Sequence, residues 1–526
     1  MKLIQTGGAA ALVTIIAALV AAGCGSSSNG GASGAAASSK ALKFIPKTAV
    51  GYVTIDTDFQ GDNWKQFDKL AQGLYPKFTS VGGEIDAAIK SDGSKVKYDT
   101  DIDPWLGANA GVAVLNVADN GSDANFVAWA EVSDRAKLEK LAKEQGLKEG
   151  AKIGDFTEWN KDEGFIAVSD DLVFIADDRA SLEKTIKYDG DSITAAKGVD
   201  EIAGKVGDDT LAAVVLSGDG VRTAIADNSR AKTLKNVDAV KGFNGASFGV
   251  TAEDKGLRVH AYTHADGVGN NIKNTNNDIL RSLPGNTLLA VGAQDLGGQL
   301  KTGVESLGSD NAQLQQQLGA VTGALGVDLD DLATAFSGEF ALGVSADDTG
   351  LQSIVSGVAG AVMGGGTSGF KPAAITQTGA VTLAFENKET TTATLDKLVG
   401  AIGGLTGGAS PKTGTAGDFQ TKSLTLGGLP VTAASSDKVA AVSIGTDVFT
   451  KWGTDSLGDN GTFKDAWSAA GAPSDVAASF WLDWPRVAKL ASLDTSDKAT
   501  AGGWVGWAKT DTNSSTFDLF MHIETK

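Results

Sequence analysis

The sequence predicts an α+β fold arranged as a tandem duplication, each half an antiparallel sheet with amphipathic helices packed on it. Three observations carry that prediction. Short apolar runs joined by hairpin turns recur along the chain, helical stretches with one apolar face lie between them, and the order of elements appears twice. The boundaries are residues 1–23 as a leader, 24–41 as a tether, 42–267 as repeat one, 268–277 as an Asn-rich joint and 278–526 as repeat two.

In repeat one, Ile45-Pro46 opens a run, Val50 to Ile55, whose β-branched and aromatic content reads as a strand. Asp62 or Asn63 then caps a helix carrying Trp64, Phe67, Leu70, Ala71 and Leu74 on one face, ended by Pro76. Gly111–Val117 and Asn125–Val132 form a hairpin across Asn120-Gly121. Asp134 to Gln145 is a helix with Leu138, Leu141 and Ala142 inward and Gly146 as its stop. Phe165–Val168 and Leu172–Ala176 turn at Ser169-Asp170-Asp171, and Asp177 or Asp178 starts a helix with Leu182 and Ile186 inward. Leu211–Leu216 is a strand, and Ala246–Ala252 pairs with Leu257–Thr263 across Glu253 to Gly256.

The second half echoes this order. Leu283-Pro284 and Leu288–Ala293 match Ile45-Pro46 and its strand. Asp328-Leu329-Asp330 with Gly338 matches Asp101-Ile102-Asp103 with Gly111, and Thr394–Leu398 matches Lys137–Leu141. Ala434–Val439 matches Ala167–Leu172, Asp475–Leu482 matches Asp209–Leu216, and the hairpin of Trp504–Lys509 and Thr516–Ile523 matches Ala246–Thr263.

Pro46 to Asp56, then Asp101-Ile-Asp-Pro-Trp105-Leu-Gly107 with Ala110-Gly-Val-Ala-Val, then Gly164 to Asp178 and Leu329 to Leu342, resemble in order the motifs of one bacterial family of secreted proteins, domain of unknown function 3352. The second half has Leu332-Ala333-Thr334 where the first has Trp105-Leu106-Gly107, so the motif is kept once. The resemblance implies location and fold and supplies no activity.

Val20-Ala21-Ala22-Gly23-Cys24 follows a positive start (Lys2) and an apolar segment from Ala9 to Ala22. Small residues before a lone cysteine resemble a lipobox, so Cys24 is the expected site of lipidation, a diacylated, palmitate-type anchor on the extracytoplasmic face of a bacterial membrane. Gly25 to Lys40 then reads as a flexible tether. With one cysteine no intramolecular disulfide forms, and three histidines leave little for a transition metal; no cofactor is expected. The net charge of −19 repels nucleic acid and anionic headgroups.

Several strings imitate catalytic motifs. Ser181-Leu-Glu-Lys184, Ser309-Asp-Asn311 and Lys412-Thr-Gly414 follow the order of the serine acyl-enzymes that recognise penicillin, although Lys412 sits in a loop-like composition and Ser181 and Ser309 fall in different halves. Gly245-Ala-Ser247-Phe-Gly249 copies a nucleophile elbow, but its surroundings read as strand, turn, strand. His260 and His264 alternate on one strand face and would need a third ligand to hold a metal. Asp99-Thr-Asp101-Ile-Asp103 lacks the glycine and glutamate of a calcium loop.

Two features point to binding. Leu351, Ile354, Val355, Val358 and Val362 make an apolar helical stripe released by Gly364-Gly-Gly366, suited to a pocket, a membrane or a partner. Trp481, Trp484, Trp504 and Trp507 gather in two terminal strands and could stack on sugar rings. The expected function is a non-catalytic cell-envelope binding or scaffold lipoprotein, tied to the membrane by its anchor and receiving a protein or an apolar small molecule, with no nucleic acid. The alternatives are a serine acyl-enzyme and a wall-glycan binder.

Overall fold

The structure, a computed structural model, describes residues 39–525 except 118–123, 309–322, 347–378, 406–409, 491–498 and short breaks of one or two residues. Ser39 caps a 3-10 turn, Lys40–Phe44, that leads into β1 (Gly51–Asp56). In α1 (Asp62–Leu74), Trp64, Phe67 and Leu70 recur at helical spacing and bury one face. α2 (Val81–Ser91) buries Val81, Ile85 and Ile89; its Gly82-Gly83 pair disguises it as a turn in the sequence. β2 (Leu106–Val117) and β3 (Ala124–Val132) are the first hairpin. α3 (Arg135–Glu144) begins where the Asp134 carboxylate accepts the Lys137 N–H at 3.1 Å and stops at Gly146, whose φ of +79° suits glycine. β4 (Lys148–Ile153) and β5 (Phe156–Lys161) turn at Gly154. β6 (Gly164–Val168) and β7 (Leu172–Ala176) follow, and Asp178 caps α4 (Arg179–Ile186). α5 (Val199–Gly204), β8 (Ala212–Ser217), β9 (Phe243–Glu253) and β10 (Gly256–Ala265) complete the first wing.

The second wing contains α6 (Asp278–Ser282), β11 (Thr287–Gln294), α7 (Leu296–Gly308), α8 (Leu329–Ala335), β12 (Glu339–Ala346) and β13 (Gly379–Glu386). Next come α9 (Glu389–Leu405), β14 (Lys412–Ala416), β15 (Phe419–Leu426), β16 (Leu429–Ser435) and β17 (Val439–Gly445). α10 (Gly461–Ala469), β18 (Ala478–Leu482), α11 (Trp484–Leu490), β19 (Ala499–Asp511) and β20 (Ser514–Thr525) close it.

All 20 strands of the described residues join one antiparallel sheet in the order β4-β5-β6-β7-β3-β2-β1-β8-β9-β10-β20-β19-β18-β11-β12-β13-β17-β16-β15-β14. The expected pair of sheets is therefore corrected. Among the described residues a single sheet is present, and a duplication into two sheet-forming halves is not shown. The physical cause is the seam between β10 and β20, which are in register from Gly256↔His522 to His264↔Ser514. Left unpaired, either strand would present a long hydrogen-bonding edge to solvent.

Side chains reinforce the seam. His260 Nδ1 lies 2.8 Å from Asp518 Oδ1, and Arg258 donates to the Ala470 carbonyl at 2.8 Å while its guanidinium sits 5.3 Å over the rings of both Trp507 and Phe520. The Asn-rich joint is also tied down. Thr275 and Val476 exchange backbone hydrogen bonds, and Asn274 bonds Thr510 through both its side-chain donor and its acceptor.

Each face of the sheet bears a core. On one face α1, α2 and α3 pack on Ile55, Ala110, Ala130 and Ile175, while α7, α8 and α9 pack on Phe385, Ala440 and Val442. On the other, α4 and α5 cover Tyr52, Trp129 and Phe174, and α6 and α10 cover Ala290, Trp481 and Val505. The two free edges, β4 and β14, are short, carry Lys148, Lys152 and Lys412, and are mostly exposed, which discourages further pairing.

Candidate functional site

Among the described residues, part of the first of these faces carries no helix. From β9 to β12 the register sets Val250, Val259, Leu519, Gly506, Phe480, Val291 and Leu342 opposite one another in a row, which continues through Leu383 and Val442 beneath α8 and α9. A second row holds Trp504, Leu482, Leu289, Val344, Val381 and Ile444, and a shorter flanking row holds Phe248, Ala261 and Phe517. These rows contain no charged side chain. Phe248, Phe517, Leu289, Val291, Leu342 and Ile444 are 37–43% exposed. Single exposed apolar residues are ordinary, but six aligned on one sheet face form a patch of the kind that marks a binding surface.

Helices stand on the same face around the strip. α1 packs on Leu257 and Ile523 at one border. α11 covers the second row at Trp504, on which Trp484 stacks at 4.5 Å and 18° between planes, and leaves the first row open. α8 and α9 close the second-wing end, where Phe336 stacks on Phe385 at 4.3 Å. A helix is about 10 Å across, so the strip is the floor of a trough. Seven strands, β9 to β12, at about 4.8 Å spacing make it about 29 Å long.

The sequence pointed to other places. Cys24, the stripe Leu351, Ile354, Val355, Val358 and Val362, and Ser309 and Asn311 lie outside the described residues. Of the four tryptophans, Trp481 and Trp507 are core residues with nothing to offer a sugar, and only Trp484 and Trp504 are half-exposed, each covering the other. Trp504 and Trp507 are three residues apart on one strand and so face opposite sides of the sheet.

Ser181 is in the first turn of α4, where its Oγ donates to Asp178 at 2.6 Å and its N–H donates to the same carboxylate. Lys412-Thr413-Gly414 is not the loop its composition suggested: it forms edge strand β14, at the opposite end of the strand order from the β3, β6 and β7 strands that α4 packs on. Thr413 and Gly414 border a hollow of about 280 Å³ with Thr392, Gln420 and the Lys422–Asp396 ion pair. Ser247 is a fully buried mid-strand residue donating to the Ile202 carbonyl at 2.7 Å. Ser181→Ala and Ser247→Ala should leave ligand binding unchanged while costing about 1 kcal/mol each in stability, read from urea unfolding. Loss of binding in a stably folded variant would revive the acyl-enzyme reading.

His260 is engaged by Asp518, and among the described residues no group of three metal-ligating side chains is present. Asp101 belongs to a helical turn, Tyr98–Ile102, whose Asp101 carbonyl accepts the Trp105 indole N–H at 2.9 Å.

A polar hollow of about 500 Å³ lies at the seam between Asp254-Lys255, Asp465 and His522–Glu524. Burial holds the His522 ring below the ordinary histidine range, with Lys255 adding to the effect and Glu524 and Asp465 opposing it. The unfolded chain therefore protonates His522 first, so its contribution to stability is complete above about pH 6.5 and falls as the pH drops below that. The difference between urea midpoints at about pH 7.5 and about pH 5.5 should narrow in His522→Gln. An unchanged difference would show that His522 does not govern this acid sensitivity.

The uncovered strip itself was missed in the sequence. Leu288-Leu289-Ala290-Val291 is apolar on both strand faces, the signature of a strand covered on both sides, whereas here only the Ala290 face is covered.

Comparison with known proteins adds a family and little more. None of the curated proteins matches the chain. Among solved structures, crystal forms IV and I of TP0453 are similar at 10% identity and a TM-score of 0.25, covering 44% of this chain and 83% and 80% of theirs. The family described as "Protein of unknown function (DUF3352)" matches residues 6–500, so the chain belongs to the DUF3352 family.

Proposed function

We propose that the protein is a non-catalytic cell-envelope lipoprotein that binds an apolar ligand on the uncovered face of its sheet. The aligned, solvent-exposed strip from Phe248 to Ile444 is the observation that carries this reading. An apolar surface of this extent gains free energy when a ligand removes it from water, at about 25 cal/mol per Å². Among the described residues no helix is long and apolar enough to cross a membrane, and the Val20–Cys24 stretch supports attachment by lipid.

Phe248→Asp and Phe517→Asp place a charge on the trough floor at residues already about 40% exposed. Combined with Leu342→Asp at the other end of the floor, each should weaken the binding of a fluorescent apolar probe at least tenfold, since a ligand on either half would then have to desolvate a carboxylate, while the circular dichroism melt stays near that of the parent. Unchanged probe affinity in both variants sinks the reading. A second expectation concerns location. Cys24→Ala should move the protein from the membrane fraction to the soluble fraction; if it still pellets after a salt wash, the anchor assignment is wrong.

A further inference from the structure

Resting on that reading, we infer that the occupant of the trough is a membrane lipid with two acyl tails, lying along the strip with its tails directed apart. Length is the first argument. A bilayer core of about 30 Å holds two tails end to end, so one tail reaches about 15 Å, and a floor of about 29 Å matches two tails rather than one.

Shape is the second. α1, α11, α8 and α9 rise about 10 Å above the same face, so a flat bilayer surface or a flat face of a second copy does not reach Val291 and Leu342, whereas separate hydrocarbon chains do. Charge is the third. A net −19 opposes an anionic headgroup, which favours a zwitterionic or uncharged one. Supply follows from the tether: the chain from Cys24 to Ser39 extends to about 50 Å, keeping the trough within reach of the bilayer that holds the anchor.

The test uses the full chain with Cys24→Ala, alone and with Phe248→Asp at one end of the trough or Leu342→Asp at the other. Three probes are compared: Nile red, dodecanoic acid as a single short chain, and vesicles of phosphatidylethanolamine carrying a trace fluorescent tail. The parent should extract one phospholipid per chain from vesicles, and either end substitution should weaken that at least tenfold. Dodecanoic acid should lose less than about twofold with either single substitution, because the other half of the floor still receives it.

Nile red binding without phospholipid extraction overturns the inference and leaves the apolar-ligand reading standing. Failure of all three probes overturns both. Equal sensitivity of dodecanoic acid and phospholipid to each substitution shows a single-chain ligand and overturns the two-tailed assignment. A dimer in size-exclusion chromatography that both end substitutions dissociate shows a second copy in the trough, and likewise overturns it.

Discussion

A fragment of residues 42–267 is expected to aggregate rather than fold when produced alone. Its last strand, β10, loses every pairing from Gly256↔His522 to His264↔Ser514 and becomes a long, regular edge. The core of the first wing loses Ile523 and the packing of Met521, both supplied by β20, beside Leu257 and α1. His260 and Arg258 lose Asp518, and the Arg258 guanidinium loses the Trp507 and Phe520 rings. Size-exclusion chromatography with a thermal circular dichroism scan checks this. A monomeric fragment that unfolds cooperatively would refute it. In the intact protein, residues 272–277 should resist protease, because Thr275 and Asn277 are bonded to Val476, and Asn274 to Thr510.

Trp481→Ala should cost about 3–5 kcal/mol, the largest single-residue loss anticipated. The side chain is fully buried, its indole N–H donates to the Thr287 carbonyl at 3.1 Å, and Phe463 meets it edge-on at 5.3 Å. Gly503 lies against the same ring, where a Cβ would collide with it, so the neighbouring backbone is already as close as packing allows. Half-exposed Trp484 should cost far less when replaced by alanine, about 1 kcal/mol for the lost stack on Trp504. Urea midpoints of the two variants decide the matter; equal losses would show that the burial of Trp481 is not what stabilises this wing.

The contrast between these tryptophans shows what a sequence displays. Caps were legible because they are local: Asp134 and Asp178 each accept a backbone N–H three residues on. Hairpins such as β9–β10 were legible for the same reason, with Glu253 and Gly256 meeting across a tight turn. The nearness of Trp481, Trp484, Trp504 and Trp507 in two terminal segments was legible too, but not that Trp484 opens helix α11 instead of continuing a strand, nor which of them faces the core.

Three features depended on distant chain. β14 has exposed residues and one partner strand, so it needs no apolar alternation, and Lys412-Thr413-Gly414 looked like a loop. The seam joins residues that no local pattern relates. Among the described residues the helices stop short of Val291 and Leu342, and a face without a helix leaves no mark in the residues beneath it.

The seam also sets a timetable. His260 and Asp518 are 258 positions apart, and every β10–β20 pair is comparably remote. At roughly 5–20 residues per second, β10 waits on the order of 13–50 s for its partner to be synthesised. Pairings this remote in sequence also form slowly once both strands are available. Until then the middle of the future sheet is an open edge beside Phe248 and Val259, more open to stray pairing than the short, lysine-bearing edge β4.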